Sequence, residues 1–314
     1  MVASEKSSID LYNCSIYGSQ SLYGGVFYID ELSNVKLEDS IIEGSKTKGT
    51  LFDCGSSNLK IINSTIRNSQ NNMFLLIGSS TLNLSQTNIF NHECSSILQG
   101  CLIFAQSNSF VFGKDLNISQ ISSKTNDNIF FSSSSGLFES IQMTKIQTNK
   151  MKGACLGSSA SNISVVGGNF EEYNGNCFNN EASFINIKNS TFHHNYGVER
   201  RDLYLSTFIC YNCKFYNIEF TTFFDNKFTD KGSAMQIMSD YKTNNEIVLL
   251  NTIKNCSFIE NEAFEDGGAI YLRNQHVSIE GSFFSSNLAQ NGGAIFTIMK
   301  GNLLTIKILT QFFY

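Results

Sequence analysis

The sequence predicts an all-β protein, a right-handed parallel β-helix of about 11 rungs with three short strands in each. Three observations point there. A segment of 22 to 35 residues repeats along the whole chain. Within each copy, apolar and polar residues alternate with the period of a strand. The copies are joined by Asn, Gly and Ser turns, and the 314 residues contain no proline.

The repeat is clearest near the C-terminus, where Phe258-Ile-Glu-Asn261 followed by Gly267-Gly268-Ala269-Ile270 matches Phe284-Ser-Ser-Asn287 followed by Gly292-Gly293-Ala294-Ile295. The same frame fits Phe223 to Asn226 with Gly232 to Met235, and Ile16 to Ser19 with Gly24 to Phe27. Ile41 to Gly44 with Gly49 to Phe52 forms another copy, and further anchors fall at Ile66, Ile89, Ile118, Ile146, Phe170 and Phe192. Ahead of each anchor stands an apolar-x-apolar strand, such as Val35-Lys-Leu37, Leu59-Lys-Ile61, Leu82-Asn-Leu84, Ile185-Asn-Ile187 and Val277-Ser-Ile279. At the anchor the pattern is small, polar, large: Cys14-Ser15-Ile16, Ser64-Thr65-Ile66, Ser190-Thr191-Phe192, Cys256-Ser257-Phe258. The polar middle residue is expected to face water. A third strand follows the Gly pair, as in Val26 to Ile29 and Ala269 to Leu272.

Turn chemistry completes each rung. Gly-Gly permits the positive φ of a sharp corner, while Asn226, Asn261 and Asn287 tolerate the left-handed region and are placed to stack amide on amide. The missing proline fits a ladder in which each rung donates its N–H groups to a neighbour, although turns are expected to accept a few. No linker breaks the pattern, so residues 1–314 read as one continuous domain. Neither terminus carries a clear polar cap, which reads as a piece of a longer chain.

Composition narrows the function classes. The net charge is −5 with a pI near 5.4, and no Lys/Arg run exceeds two residues. Nucleic acid and anionic membrane surfaces are therefore poor partners. No apolar run spans a membrane, and the N-terminus lacks the apolar core of a secretory signal peptide.

With these residues in view, the Phe-x-x-Asn plus Gly-Gly-Ala-Ile frame resembles the repeat of chlamydial polymorphic outer-membrane proteins, also found in large surface proteins of ciliated protozoa with pectin-lyase-like β-helices. The match is sharp at 258–270 and 284–295, fair at 223–235, and only patterned over residues 1 to about 200. The resemblance implies a cell-surface or extracellular location, adhesion or scaffolding, and no catalytic residues. The autotransporter barrel of those proteins is missing here.

Cys14 and Cys256 share an inward position and read as small buried hydrophobes. Cys210 and Cys213 are the pair to test for a disulfide or a metal, with core packing as the plainer reading. The seven Asn-x-Ser/Thr sequons, at Asn13, Asn63, Asn83, Asn117, Asn162, Asn189 and Asn255, are no more than chance expects. Asn13, Asn63, Asn189 and Asn255 start strands, which predicts steric protection from glycosylation. Asp225 and Asp230 align with Glu260 and Glu265, beside Glu262 and Asp266. Stacked carboxylates would bind a hard cation or carry raised pKa values, against the plainer reading of a solvated acidic face. Glu199-Arg200-Arg201-Asp202 lies in an insertion at 196–202, and a second insertion spans 239–246. His92, His193, His194 and His276 show no metal spacing, and neighbours such as His193 and His194 should point apart. Tyr17, Tyr28 and Tyr271 are the exposed aromatics that would stack a sugar ring.

The leading expectation is a non-enzymatic repeat scaffold presenting an extended surface to a protein or glycan ligand. It has no catalytic, cofactor-binding or metal residues. The alternatives are a polysaccharide lyase or hydrolase on the same fold and an intracellular structural scaffold.

Overall fold

The computed structural model describes residues 1–3, 5–21, 24–94, 100–123, 127–148, 153–197, 205–240, 251–298 and 306–309. Among the described residues the chain is all-β, with 65% of them in strands and no helix, and forms a parallel β-solenoid of about ten turns. The fold class read from the repeat is therefore what the structure shows. Two compact units divide it, Met1–Asn162 and Ile163–Tyr314.

In the first unit, the leading strands Ser8–Tyr12, Asn34–Glu38, Asn58–Ile62 and Thr81–Ser85 stack in parallel register. Val35, Leu59 and Leu82 form one buried column and Leu37, Ile61 and Leu84 a second. The anchor column runs Ile16, Ile42, Ile66, Ile89, Ile118, Met143. Two assignments are corrected here. Ile42, not Ile41, is the buried anchor, and Ile41 is half-buried on the other face of its strand. Ile146 pairs with Ile121 beyond the anchor, and Met143 takes the anchor place. A period of two makes a one-residue slip a change of face, and two adjacent isoleucines leave that slip invisible in sequence.

In the second unit the anchors are Phe170, Phe192, Phe223, Phe258 and Phe284, in strict register. Their rings lie 4.8 to 5.1 Å apart and within 8° of parallel. Such offset stacks add to the large apolar area each ring buries.

The turns hold most of the surprises. Asn226, Asn261 and Asn287 do stack amide on amide, and Asn195 extends the column. Asn195 Nδ2 donates to Asn226 Oδ1 at 2.9 Å, Asn226 Nδ2 to Asn261 Oδ1 at 2.9 Å, and Asn261 Nδ2 to Asn287 Oδ1 at 3.0 Å. The left-handed residue, however, is the one before each Asn: His194, Asp225, Glu260 and Ser286, with φ between 49° and 55°. Asn195, Asn226 and Asn261 are buried for their hydrogen bonds and Asn287 is half-buried, while the more exposed residue before each supplies the bend. At the other corner the first glycine of the pair is left-handed, and at Gly267 (φ 67°) a Cβ would lie 2.3 Å from the Ile270 carbonyl oxygen.

Serine columns hold two further corners. Ser40 Oγ accepts the Cys14 N–H at 3.2 Å while donating to Glu38 O at 2.8 Å, and Ser64 repeats this toward Ser40 N–H and Ile62 O. Ser33, Ser80 and Ser161 likewise accept the N–H of Ser7, Ser57 and Ser134. Cys256 occupies the same place, buried, its Sγ donating to Lys254 O at 3.2 Å. Its thiol is pushed up to about 12, chiefly by burial. Cys14 is only half-buried.

Turn N–H groups also join the ladder, as in Asn13 to Glu38 O, Asp225 to Ile259 O and Glu260 to Ser285 O. Proline would lose each of these bonds and cannot reach positive φ. The corners are thus as closed to proline as the strands, contrary to expectation. The sequons Asn13, Asn63, Asn189 and Asn255 are exposed, left-handed turn residues rather than strand residues.

Candidate functional site

Outward chemistry in the second unit gathers beside three consecutive corners. The segments Asp230-Lys231-Gly232, Glu265-Asp266-Gly267 and Gln290-Asn291-Gly292 lie on neighbouring turns, with Gly232 N–H donating to Asp266 O and Gly267 N–H to Asn291 O, each at 2.9 Å. This backbone pairing stacks Lys231, Asp266 and Asn291. The strands that follow, Met235–Met238 and Ile270–Arg273, add Gln236 and Tyr271 as direct partners.

Lys231 Nζ lies 3.2 Å from Asp266 Oδ2 and 3.3 Å from Glu265 Oε2, and sits 5.3 Å above the Tyr271 ring. Burial alone would lower the ammonium, but bonds to Asp266 and Glu265 outweigh it and raise it above the usual lysine range. Asn291 Nδ2 donates to Asp266 Oδ1 at 2.9 Å. Asp230 is more enclosed. Burial raises its carboxyl, against hydrogen bonds from Gln236 Nε2 and Leu205 N–H, both at 3.3 Å. Gln236 is fully buried, and its Oε1 has no partner.

Beyond this polar rim lies an apolar outer face. Ile209, Met238 and Tyr271 are buried there, with Tyr211, Phe296 and Ile298 packed against them. Tyr271 stacks on Phe296 at 6.0 Å, and burial raises its phenol. Arg273 closes the edge with a 2.8 Å ion pair to Asp240, whose Oδ2 accepts from the Tyr211 hydroxyl.

The expected acidic stack is therefore only partly a solvated face. Asp230 carries the raised pKa, Lys231 occupies the place foreseen for a hard cation, and Asp225 is 2.9 Å from Lys227 Nζ. Tyr17 and Tyr28 are exposed as expected, but Tyr271 is buried under Lys231. Lys231, Gln236 and Arg273 escaped the sequence reading. Aligning the Asp-Lys-Gly and Glu-Asp-Gly triplets would have put Lys231 on Asp266.

The other candidates scatter. Cys210 and Cys213 form a disulfide, as do Cys94 and Cys101, a pair that sequence alone did not suggest. Cys14, Cys54, Cys177 and Cys256 are free thiols. His92 lies beside Cys94 and Cys101, but the disulfide occupies both sulfurs and all three residues are buried. Glu199, Arg200, Arg201 and Asp202, and residues 241–246 of the second insertion, lie outside the described residues.

Replacing Lys231 with Met keeps the packing over Tyr271 and removes the counter-charge of Asp266 and Glu265. Glu265 is exposed, and the buried Asp266 keeps the hydrogen bond from Asn291 Nδ2, so Lys231→Met is expected to cost about 1–2 kcal/mol in urea denaturation, and less in high salt. A loss unchanged by salt would place the role of Lys231 in packing instead.

Strand columns, amide and serine ladders and paired outer side chains together define a β-solenoid repeat protein. No family model matches the chain, and no curated protein matches it in sequence.

Proposed function

We propose that this chain is a non-enzymatic repeat scaffold, part of a cell-surface protein, whose solenoid faces bind a protein or glycan partner. One observation carries the reading. The polar residues that recur from turn to turn, Asn195, Asn226 and Asn261 with the serine columns, are buried, and with the half-buried Asn287 they bond to neighbouring turns. What repeats is architecture, and what varies is the outward surface. Surface adhesion comes from the resemblance to polymorphic outer-membrane protein repeats at 223–235, 258–270 and 284–295.

The enzymatic reading has one observation in its favour: Asp230, Lys231 and Tyr271 bring an acid held high, a cation and a phenol to one face. A lyase would need such an acid and base about a sugar ring.

One experiment separates the readings. The purified chain is assayed on immobilised cell-surface protein and glycan and, in parallel, on acidic polysaccharide, with Lys231→Met alongside. The scaffold reading expects saturable binding without new chain ends. Release of unsaturated or reducing ends that Lys231→Met abolishes would replace it with the enzymatic reading. Mass spectrometry of the native protein is expected to find glycan at exposed turn sequons such as Asn63 and Asn255. Bare sequons and reduced Cys210 and Cys213 would favour an intracellular scaffold.

A further inference from the structure

We propose that His193, His194 and Glu171 form a binding site for one divalent transition-metal ion of the zinc class, which ties neighbouring turns of the second unit together. The strands Asn169–Glu171 and Thr191–His193 pair in parallel, placing Glu171 against His193. Consecutive strand residues point to opposite faces, which is why His193 and His194 were expected to diverge. The left-handed backbone at His194 (φ 53°) breaks that alternation and turns both imidazoles outward.

Their Nδ1 atoms stand 3.0 Å apart, and Glu171 Oε1 lies 3.8 Å from one and 4.0 Å from the other. The partners of the far nitrogens favour one tautomer on each ring. His193 Nε2 contacts Asn169 Oδ1 at 3.0 Å, an acceptor, so Nε2 carries the hydrogen. His194 Nε2 faces Asp225 Oδ2 at 3.6 Å, and a carboxylate on that side again favours Nε2–H. Both Nδ1 lone pairs then face each other, with a carboxylate oxygen as the third corner. Three electron-rich atoms in one triangle call for a cation.

The triangle has the size such a cation needs. Tetrahedral zinc with ligands at about 2.0–2.1 Å puts ligand atoms roughly 3.3 Å apart. The observed edges of 3.0, 3.8 and 4.0 Å bracket that length, and the half-exposed Glu171 closes the longer two by rotating its carboxylate. Two imidazoles and one carboxylate select zinc, cobalt, nickel or copper over magnesium and calcium. Asn169 and Asp225 act as outer partners that orient the rings. His194 is exposed, so a fourth position opens to water.

The test is calorimetric titration of the full chain with Zn²⁺. One equivalent is expected to bind, with no heat from Mg²⁺ or Ca²⁺, and Co²⁺ is expected to give the visible absorption of a tetrahedral site. The double variant His193→Ala/His194→Ala should lose binding. Asp225→Asn and Asn169→Ala should weaken it by about 10- to 100-fold, the usual effect of losing an outer partner. No uptake by the unaltered chain, or uptake that survives in the double variant, overturns the proposal. If the double variant misfolds, histidine nitrogen NMR of the unaltered chain decides. Zn²⁺ must shift the Nδ1 resonances of two histidines, and shifts in none or in other residues overturn the site.

Discussion

Asn226→Ala is expected to be among the most damaging single substitutions in the second unit, although it removes only an amide. Asn226 is fully buried. Its Nδ2 donates to Phe192 O at 3.0 Å and to Asn261 Oδ1 at 2.9 Å, and its Oδ1 accepts from Asn195 N–H at 3.3 Å and Asn195 Nδ2 at 2.9 Å. Truncation orphans the Phe192 carbonyl and the Asn195 N–H on the turn before, and leaves Asn261 Oδ1 on the turn after with only the Asn226 N–H. Each buried orphan costs about 1–3 kcal/mol, and a water admitted to the new space recovers part of it, so the net loss is roughly 4 kcal/mol. Asn226→Asp preserves shape but turns an acceptor toward Phe192 O and Asn261 Oδ1, and should be no better. Asn287→Ala is the control. Asn287 is half-buried, so water can reach the Phe258 carbonyl that its Nδ2 bonds at 2.9 Å. Urea denaturation followed by circular dichroism should show a loss at Asn226 at least twice that at Asn287. Equal, small losses would mean that the stacked phenylalanines hold the turns and the amides merely fill the corner.

The same column shows what the sequence could and could not reveal. Phe223, Phe258 and Phe284 were legible because a long constant frame, anchor to Asn to Gly pair, surrounds them. Ile41 and Ile146 were misread because that frame is degenerate there, and an isoleucine one or three residues away carries the same apolar signal. Stacking of the Asn column followed from its recurrence, but the bend falls on His194, Asp225, Glu260 and Ser286, an imidazole, two carboxylates and a hydroxyl that share no turn signature. Backbone conformation set by neighbouring turns leaves no compositional trace. That is also why the meeting of His193 and His194 was hidden: strand alternation is the right rule until one φ changes sign. Lys231 over Tyr271 was hidden for a different reason. The contact crosses between turns, and only correct register brings the two residues together.

Stability of the first unit is expected to be nearly flat between pH 4 and 6.5, because two buried groups pull in opposite directions. Asp127 is buried, with Oδ1 accepting the Ala154 N–H at 2.6 Å and Oδ2 where a Cβ on Gly157 would collide. Burial pushes its carboxyl up to about 7, against the Ala154 N–H, which lowers it. A folded pKa above the unfolded value means the fold binds the proton more tightly. The contribution of Asp127 is therefore fully present below about pH 4 and lost as pH rises through 7. His92 runs the other way. Burial pushes it down to about 4, its Nε2–H donating to Asn71 O at 2.6 Å, so its contribution is present above about pH 6.5 and lost as pH falls through 4. Asp127→Asn keeps the acceptor for Ala154 and removes the charge. Three pKa units correspond to about 4 kcal/mol, and the new Nδ2 costs about 1 kcal/mol if it finds no acceptor. The variant is thus expected to be more stable than the parent by roughly 3 kcal/mol at pH 8, with the gain vanishing toward pH 4. It should also uncover the His92 slope, its stability falling from pH 6.5 to 4 where the parent stays level. Urea midpoints at pH 4, 5, 6, 7 and 8 for both proteins measure this. A difference between them that stays constant with pH would show that Asp127 is ionised in the fold throughout, held by the Ala154 amide and water.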